Sequence, residues 1–112
     1  MLNHEYLNEV TGGDSEFLAE LLHDFLSIAP ELIARIEQAV RKGDAPLLQH
    51  AAHTLKGSAR SIGAESFAAS ALTLEQLGRT AQLENAPEAL QQLLQQWEQL
   101  RGYLHTQLQQ AA

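Results

Sequence analysis

The sequence predicts an all-α fold, an up-down-up-down antiparallel four-helix bundle with an additional N-terminal helical segment covering one end. Three observations carry this expectation. Alanine, leucine and glutamine dominate the 112 residues, while only 3 Phe, 2 Tyr and 1 Trp are present, a balance that favours helix over strand. Apolar residues recur at spacings of three and four along most of the chain. The breaks between these stripes are short, which makes sequential helices antiparallel neighbours. The length suits one domain, residues 1–112, with no internal repeat or linker.

The elements follow in order. Residues 1–13 form an N-terminal segment dotted with Leu2, Tyr6, Leu7 and Val10 and broken by Gly12-Gly13. Asp14 has the character of an N-cap for a helix over 14–28, where Phe17, Leu21 and Phe25 recur beside Leu18, Leu22 and Leu26. Pro30 suits the first turn of a second helix, 30–42, with Leu32, Ile33, Ile36 and Val40 inward and Gly43 at its end. Asp44 caps a third helix, 44–62, with Pro46 early and Gly63 just beyond it. A fourth, 64–80, spaces Phe67, Ala71, Leu74 and Leu77 for burial. Asn85 caps the fifth, 86–109, along the stripe Leu90, Leu93, Leu94, Trp97, Leu100, Leu104 and Leu108. The Gln-rich tail is expected to fray. All these stripes read as core packing, so function must be sought elsewhere.

Charge and composition narrow the classes. The 14 acidic and 7 basic residues give a formal net charge of −7, which argues against nucleic acid or an anionic membrane as main partner. The chain has no cysteine, so disulfides, thiolate catalysis and cysteine-based zinc sites are excluded. No apolar run approaches the roughly 20 residues of a membrane span, and the N-terminus lacks the pattern of a secretion signal. A cytoplasmic domain is expected.

One stretch breaks the helical pattern of preferences. "HAAHTLKGSARSIGA", residues 50–64, places two histidines three apart, then a lysine, then a glycine inside a helix. Glycine there costs about 1 kcal/mol relative to alanine. Residues three or four apart share a helix face, so His53, Lys56 and Gly57 are neighbours. Helical side chains lean toward the N-terminus, so a side chain at 57 would crowd the surface beside His53. Its absence opens the imidazole to something large, and Lys56 brings a cation close to the ring. Histidine is largely neutral at cellular pH, leaving one ring nitrogen free as a nucleophile, and a phosphoryl group on it would be attracted to Lys56.

The same residues admit plainer readings. A surface histidine near a lysine is common, and Gly57 would also serve close helix packing beside Ser58 and Ala59. His50 and His53 form H-x-x-H, but two ligands at that spacing make a weak metal site. His4, His23 and His105 are scattered and carry no assigned role.

The run "AHTLKGSARSIGA", residues 52–64, closely resembles the signature of histidine phosphotransfer (HPt) domains, His-x-Leu-Lys-Gly-Ser followed by a later glycine. "GGDSEFLAELLHDFL", "AVRKGDAPLLQHAAH" and "LTLEQLGR" look like the matching flanks, so the resemblance covers roughly residues 10–80. It implies a carrier that takes a phosphoryl group from the aspartyl phosphate of one response-regulator receiver domain and passes it to the aspartate of another. By position, His53 would be the phosphoacceptor, Lys56 would steady the phosphoryl group, and Gly57 would let the receiver approach. Ser58 would fill the family's small-residue position, and Glu75 on the next helix would orient the imidazole. The receiver would bring Mg²⁺, and no metal or cofactor of the chain's own is expected.

With no Gly-rich nucleotide loop in the sequence, the chain is not expected to phosphorylate itself. Thr54 stands where the dimerising histidine domain of sensor kinases typically has an acidic residue, and four helices fit within one chain, so a monomer is expected. A hybrid sensor histidine kinase is a further expected partner, and the initial Met1 suits a free-standing protein as well as the end of such a kinase. The alternative function is a helical module that docks a receiver or other signalling protein without being phosphorylated. Docking is expected on helix 14–28 and around His53, near Leu22 and Ala52.

Overall fold

The computed structural model describes residues 1–111 and is helical almost throughout. Helix α1 (His4–Thr11) starts where the Asn3 side chain accepts the Tyr6 amide at 3.0 Å. Helix α2 (Ser15–Lys42) starts where Asp14 accepts the Glu16 and Phe17 amides at 2.9 and 3.3 Å, and ends at Gly43 in the left-handed conformation. Asp44 accepts the Leu47 amide at 3.1 Å and opens α3 (Ala45–Ser61). Helix α4 (Glu65–Arg79) follows, and a 3₁₀ turn over Leu83–Asn85 runs directly into α5 (Ala86–Ala111). Asn85 therefore lies within that turn. In each capped case a carboxylate or amide oxygen satisfies donors that the first helical turn would leave unpaired.

Two expectations are corrected. Residues 14–28 and 30–42 are not separate helices, because α2 runs unbroken for 28 residues with Pro30 inside it. Leu22, Phe25, Ala29, Leu32, Ile33, Ile36 and Ala39 are all buried along one continuous stripe, whereas Pro30 itself faces solvent. An interior proline costs about 3 kcal/mol, but a break there would misalign several apolar side chains, each stabilising by roughly 1.5–3 kcal/mol. Packing wins. The Gln-rich tail is likewise helical through Ala111, since Leu104 is buried and Leu108 half-buried on the same stripe. Only Ala112 lies outside the described residues.

Helices α2 to α5 close into a ring, α3 packing on α2 and α4, and α5 on α4 and α2. The core holds Ile36, Leu48, Leu55, Leu74, Leu93, Leu100 and Leu104. Phe25, Phe67 and Trp97 meet at its centre with ring centroids about 6 Å apart. Helix α1 lies across the end that carries the α3–α4 turn. There the Asn3 amide donates to the Gly63 carbonyl at 2.9 Å, His4 Nε2 meets the Tyr103 hydroxyl at 2.9 Å, and Leu7 is buried. The other end is closed by the α2–α3 and α4–α5 turns. His53 therefore sits near mid-length on the flank of the bundle, far from both ends.

Candidate functional site

On α3 the inward positions are Leu48, Ala51, Ala52, Leu55 and Ala59. This phase turns His53, Gly57 and Arg60 outward, and the His53 side chain is 64% exposed. Opposite it, α4 directs Ala68, Ala71, Leu74, Glu75 and Gly78 toward the interior. Small residues on both helices let them approach closely. Closest of all is Gly78, where an added Cβ would lie 2.6 Å from the Gln49 amide nitrogen and 2.9 Å from the Ala45 carbonyl oxygen. That approach brings Glu75, one turn earlier on α4, beneath the imidazole.

Glu75 then bridges two residues of α3. Its Oε2 lies 2.9 Å from His53 Nδ1, and its Oε1 lies 2.6 Å from Lys56 Nζ. A carboxylate offers only acceptors, so Nδ1 is the donor, and the neutral form of the ring held in this way has its free lone pair on Nε2. Oε1 is sealed from solvent, and the Lys56 ammonium is its counter-charge, an ion pair poorly aligned as a hydrogen bond. The Lys56 side chain is itself only 13% exposed, its stem laid along the helix surface. Burial pushes the Glu75 carboxyl upward, but Lys56 and His53 together outweigh it and hold the group below the usual carboxylate range.

The remaining sequence-predicted residues fall in different places. Gly57 is exposed, and nothing lies within 4 Å of the position its Cβ would take. Its purpose is therefore not close packing within the bundle, a task that falls to Gly78. Ser58 is half-buried five residues beyond His53, makes no side-chain hydrogen bond among the described residues, and faces α2. It lines a groove with Leu21, Asp24, Phe25, Ile28 and Ser61, away from the imidazole. His50 shares a second groove with His53, Glu75, Pro46 and Gln49, yet the described residues hold no cluster of three ligands suited to a metal ion. Leu22 and Ala52 are 2% and 0% exposed and belong to the core, because they face inward on α2 and α3. They offer no docking surface. The exposed large apolar side chains of α2 are instead Phe17 and Ile28.

Sequence reasoning passed over Gly78 and the groove-lining Gln49. The signal was a second glycine within a helix, and it becomes legible only when the backbone across from it is known.

This constellation can hold an imidazole with one nitrogen anchored and the other free, beside a cation and an uncovered stretch of backbone. No helix of the described residues is long and apolar enough to cross a membrane. No curated protein matches the chain. Residues 20–103 match the model of the Hpt domain family. The structure is similar to that of histidine-containing phosphotransfer protein B (HptB) from Pseudomonas aeruginosa PAO1. Identity is 26% and the TM-score 0.91, over 97% of this chain and 95% of that one. The fold, the motif around His53 and both comparisons agree, and the chain belongs to the Hpt domain family, the histidine phosphotransfer modules of phosphorelays.

Proposed function

We propose that His53 is the residue that carries the phosphoryl group, between the aspartyl phosphate of one receiver domain and the aspartate of another. The observation that carries this reading is the anchored Nδ1. With Glu75 Oε2 accepting from it at 2.9 Å, the free nitrogen is Nε2 on a ring that is 64% exposed. The nucleophile is thus oriented before any partner arrives, which removes an entropic part of the barrier. Phosphoryl transfer asks mainly for positioning and charge neutralisation. Lys56 is the nearby cation, and it divides its charge between Glu75 and an incoming phosphoryl group. The receiver supplies the acidic pocket and its Mg²⁺, so the chain needs neither a metal of its own nor autokinase activity.

Gly57 leaves the backbone beside the ring uncovered, so the receiver face can come down onto α3. The groove of Leu21, Phe25, Ile28, Ser58 and Ser61, together with exposed Phe17, extends that face onto α2. Ser58 acts there as a small residue at the contact and not on the imidazole. The chain works as a cytoplasmic monomer, and its donor is a free receiver or one within a hybrid sensor histidine kinase.

The test is incubation with a phosphorylated receiver and Mg²⁺, followed by a search for acid-labile, base-stable label on the chain. Label on wild type and none on His53→Gln is the expected result. Label that persists in His53→Gln moves the site, and its absence with every receiver tried leaves the docking alternative in place.

A further inference from the structure

The group beneath the imidazole is a carboxylate, and its charge has a use beyond aiming the ring. We propose that Glu75 keeps the Nδ1 proton on His53 throughout the phosphorylation cycle, so that the phosphoryl group enters and leaves without any proton exchange with solvent. This inference rests on His53 being the phosphoacceptor.

The electron balance shows what the proton does. On entry the Nε2 lone pair attacks phosphorus, the O–P bond of the aspartyl phosphate breaks, and its electron pair departs with the carboxylate. The ring, with Nδ1 still protonated, now bears a positive charge. Glu75 Oε2 lies 2.9 Å from that nitrogen, in a site where the carboxylate side chain is only 9% exposed, so the new charge forms against a fixed and poorly hydrated anion. On exit the Nε2–P bond breaks, its electron pair returns to Nε2, and phosphorus bonds to an oxygen of the acceptor aspartate. A ring that has kept its Nδ1 proton leaves as neutral imidazole. One that has lost it must leave as imidazolate, a far poorer leaving group.

The ionisable surroundings are few. On α3 they are Lys56, already paired with Glu75 Oε1 at 2.6 Å, and His50 in the shared groove. On α4 there is Glu75 alone. Pro46 and Gln49, the other walls of the groove, carry no charge, and α2 and α5 contribute nothing to it. Arg60 and Arg79 make no ion pair with Glu75 among the described residues. Glu75 is therefore the group placed to hold the proton, and Lys56 moderates it by competing for the same carboxylate. The carboxyl's lowered titration keeps it ionised across the neutral range.

The experiment loads wild type and Glu75→Gln with phosphoramidate, a small phosphoryl donor that requires no receiver. It then follows ¹⁵N-labelled His53 and the loss of phosphohistidine from pH 6 to pH 9. In wild type Nδ1 stays protonated to higher pH, and phosphoryl loss at pH 8.5 is roughly ten-fold faster than in Glu75→Gln, while the two agree near pH 6. Glutamine can still accept from Nδ1, so a merely orienting residue would leave both pH profiles parallel. Parallel profiles overturn the inference. If Glu75→Gln does not fold, wild type suffices. Its phosphohistidine must then hold the Nδ1 proton to higher pH when folded than when unfolded in urea, and equal behaviour refutes the proposal. Loading at a residue other than His53 is a different outcome, which removes the phosphoacceptor assignment and this inference with it.

Discussion

Replacing Gly57 separates stability from function, because the two respond in opposite directions. The position is mid-helix in α3, exposed, and empty for 4 Å around the site of a Cβ. Gly57→Ala therefore adds no clash and removes most of glycine's helix penalty, a gain of about 0.5–1 kcal/mol. For a domain of this size that raises Tm by roughly 2–6 °C. Gly57→Leu gives a similar gain, since leucine is nearly as good a helix former. Transfer moves the other way. On the proposed docking, a leucine inserted between α3 and the receiver costs about 1–3 kcal/mol, which corresponds to roughly 5- to 150-fold in transfer rate. Thermal melts by circular dichroism and initial rates of transfer from a phosphorylated receiver, at receiver concentrations below saturation, measure the two effects. Unchanged transfer in Gly57→Leu would refute the access argument. A fall in Tm for Gly57→Ala would refute the open space on which the magnitude depends.

Gly78→Ala should behave in the reverse sense. Its Cβ meets backbone of α3 at 2.6–2.9 Å, so the helices must part, costing about 1–3 kcal/mol in urea denaturation, and the His53–Glu75 contact should loosen in NMR spectra. An unchanged urea midpoint would contradict the close α3–α4 approach. Pro30→Ala restores an amide donor for the Leu26 carbonyl within a continuous α2 and should stabilise by roughly 1–3 kcal/mol; destabilisation would mean that the helix is interrupted there. Glu75 titrates below its ordinary range when folded, so its contribution is complete above about pH 4.3 and is lost as pH falls further through the folded value. Denaturation midpoints measured from pH 7 down to pH 3 should fall less steeply for Glu75→Gln than for wild type, and equal slopes would show that Glu75 carries none of the acid dependence.

The chain read alone yields the helical class, the inward stripes, the caps at Asp14 and Asp44, and the grouping of His53, Lys56 and Gly57 as neighbours on one helix. All are local matters. Helical spacing decides which residues share a face, a short polar side chain before an apolar run satisfies amide donors, and a motif within one helix keeps its geometry wherever that helix goes. The tertiary structure decided what depends on a second element. Pro30 reads as a boundary from its own chemistry, and only the buried stripe that continues past it overrules that chemistry. Leu22 and Ala52 share the composition of exposed docking residues until α2 and α3 are packed together. The two glycines cannot be told apart locally. One faces solvent and the other faces the Gln49 backbone, and that difference belongs to the pairing of α3 with α4. The same pairing seats Glu75, 22 residues from His53 in the chain, within hydrogen-bond reach of the ring and shares its charge with Lys56. The family resemblance pointed to the carboxylate, but two helices had to close on each other before it became buried, paired and aimed.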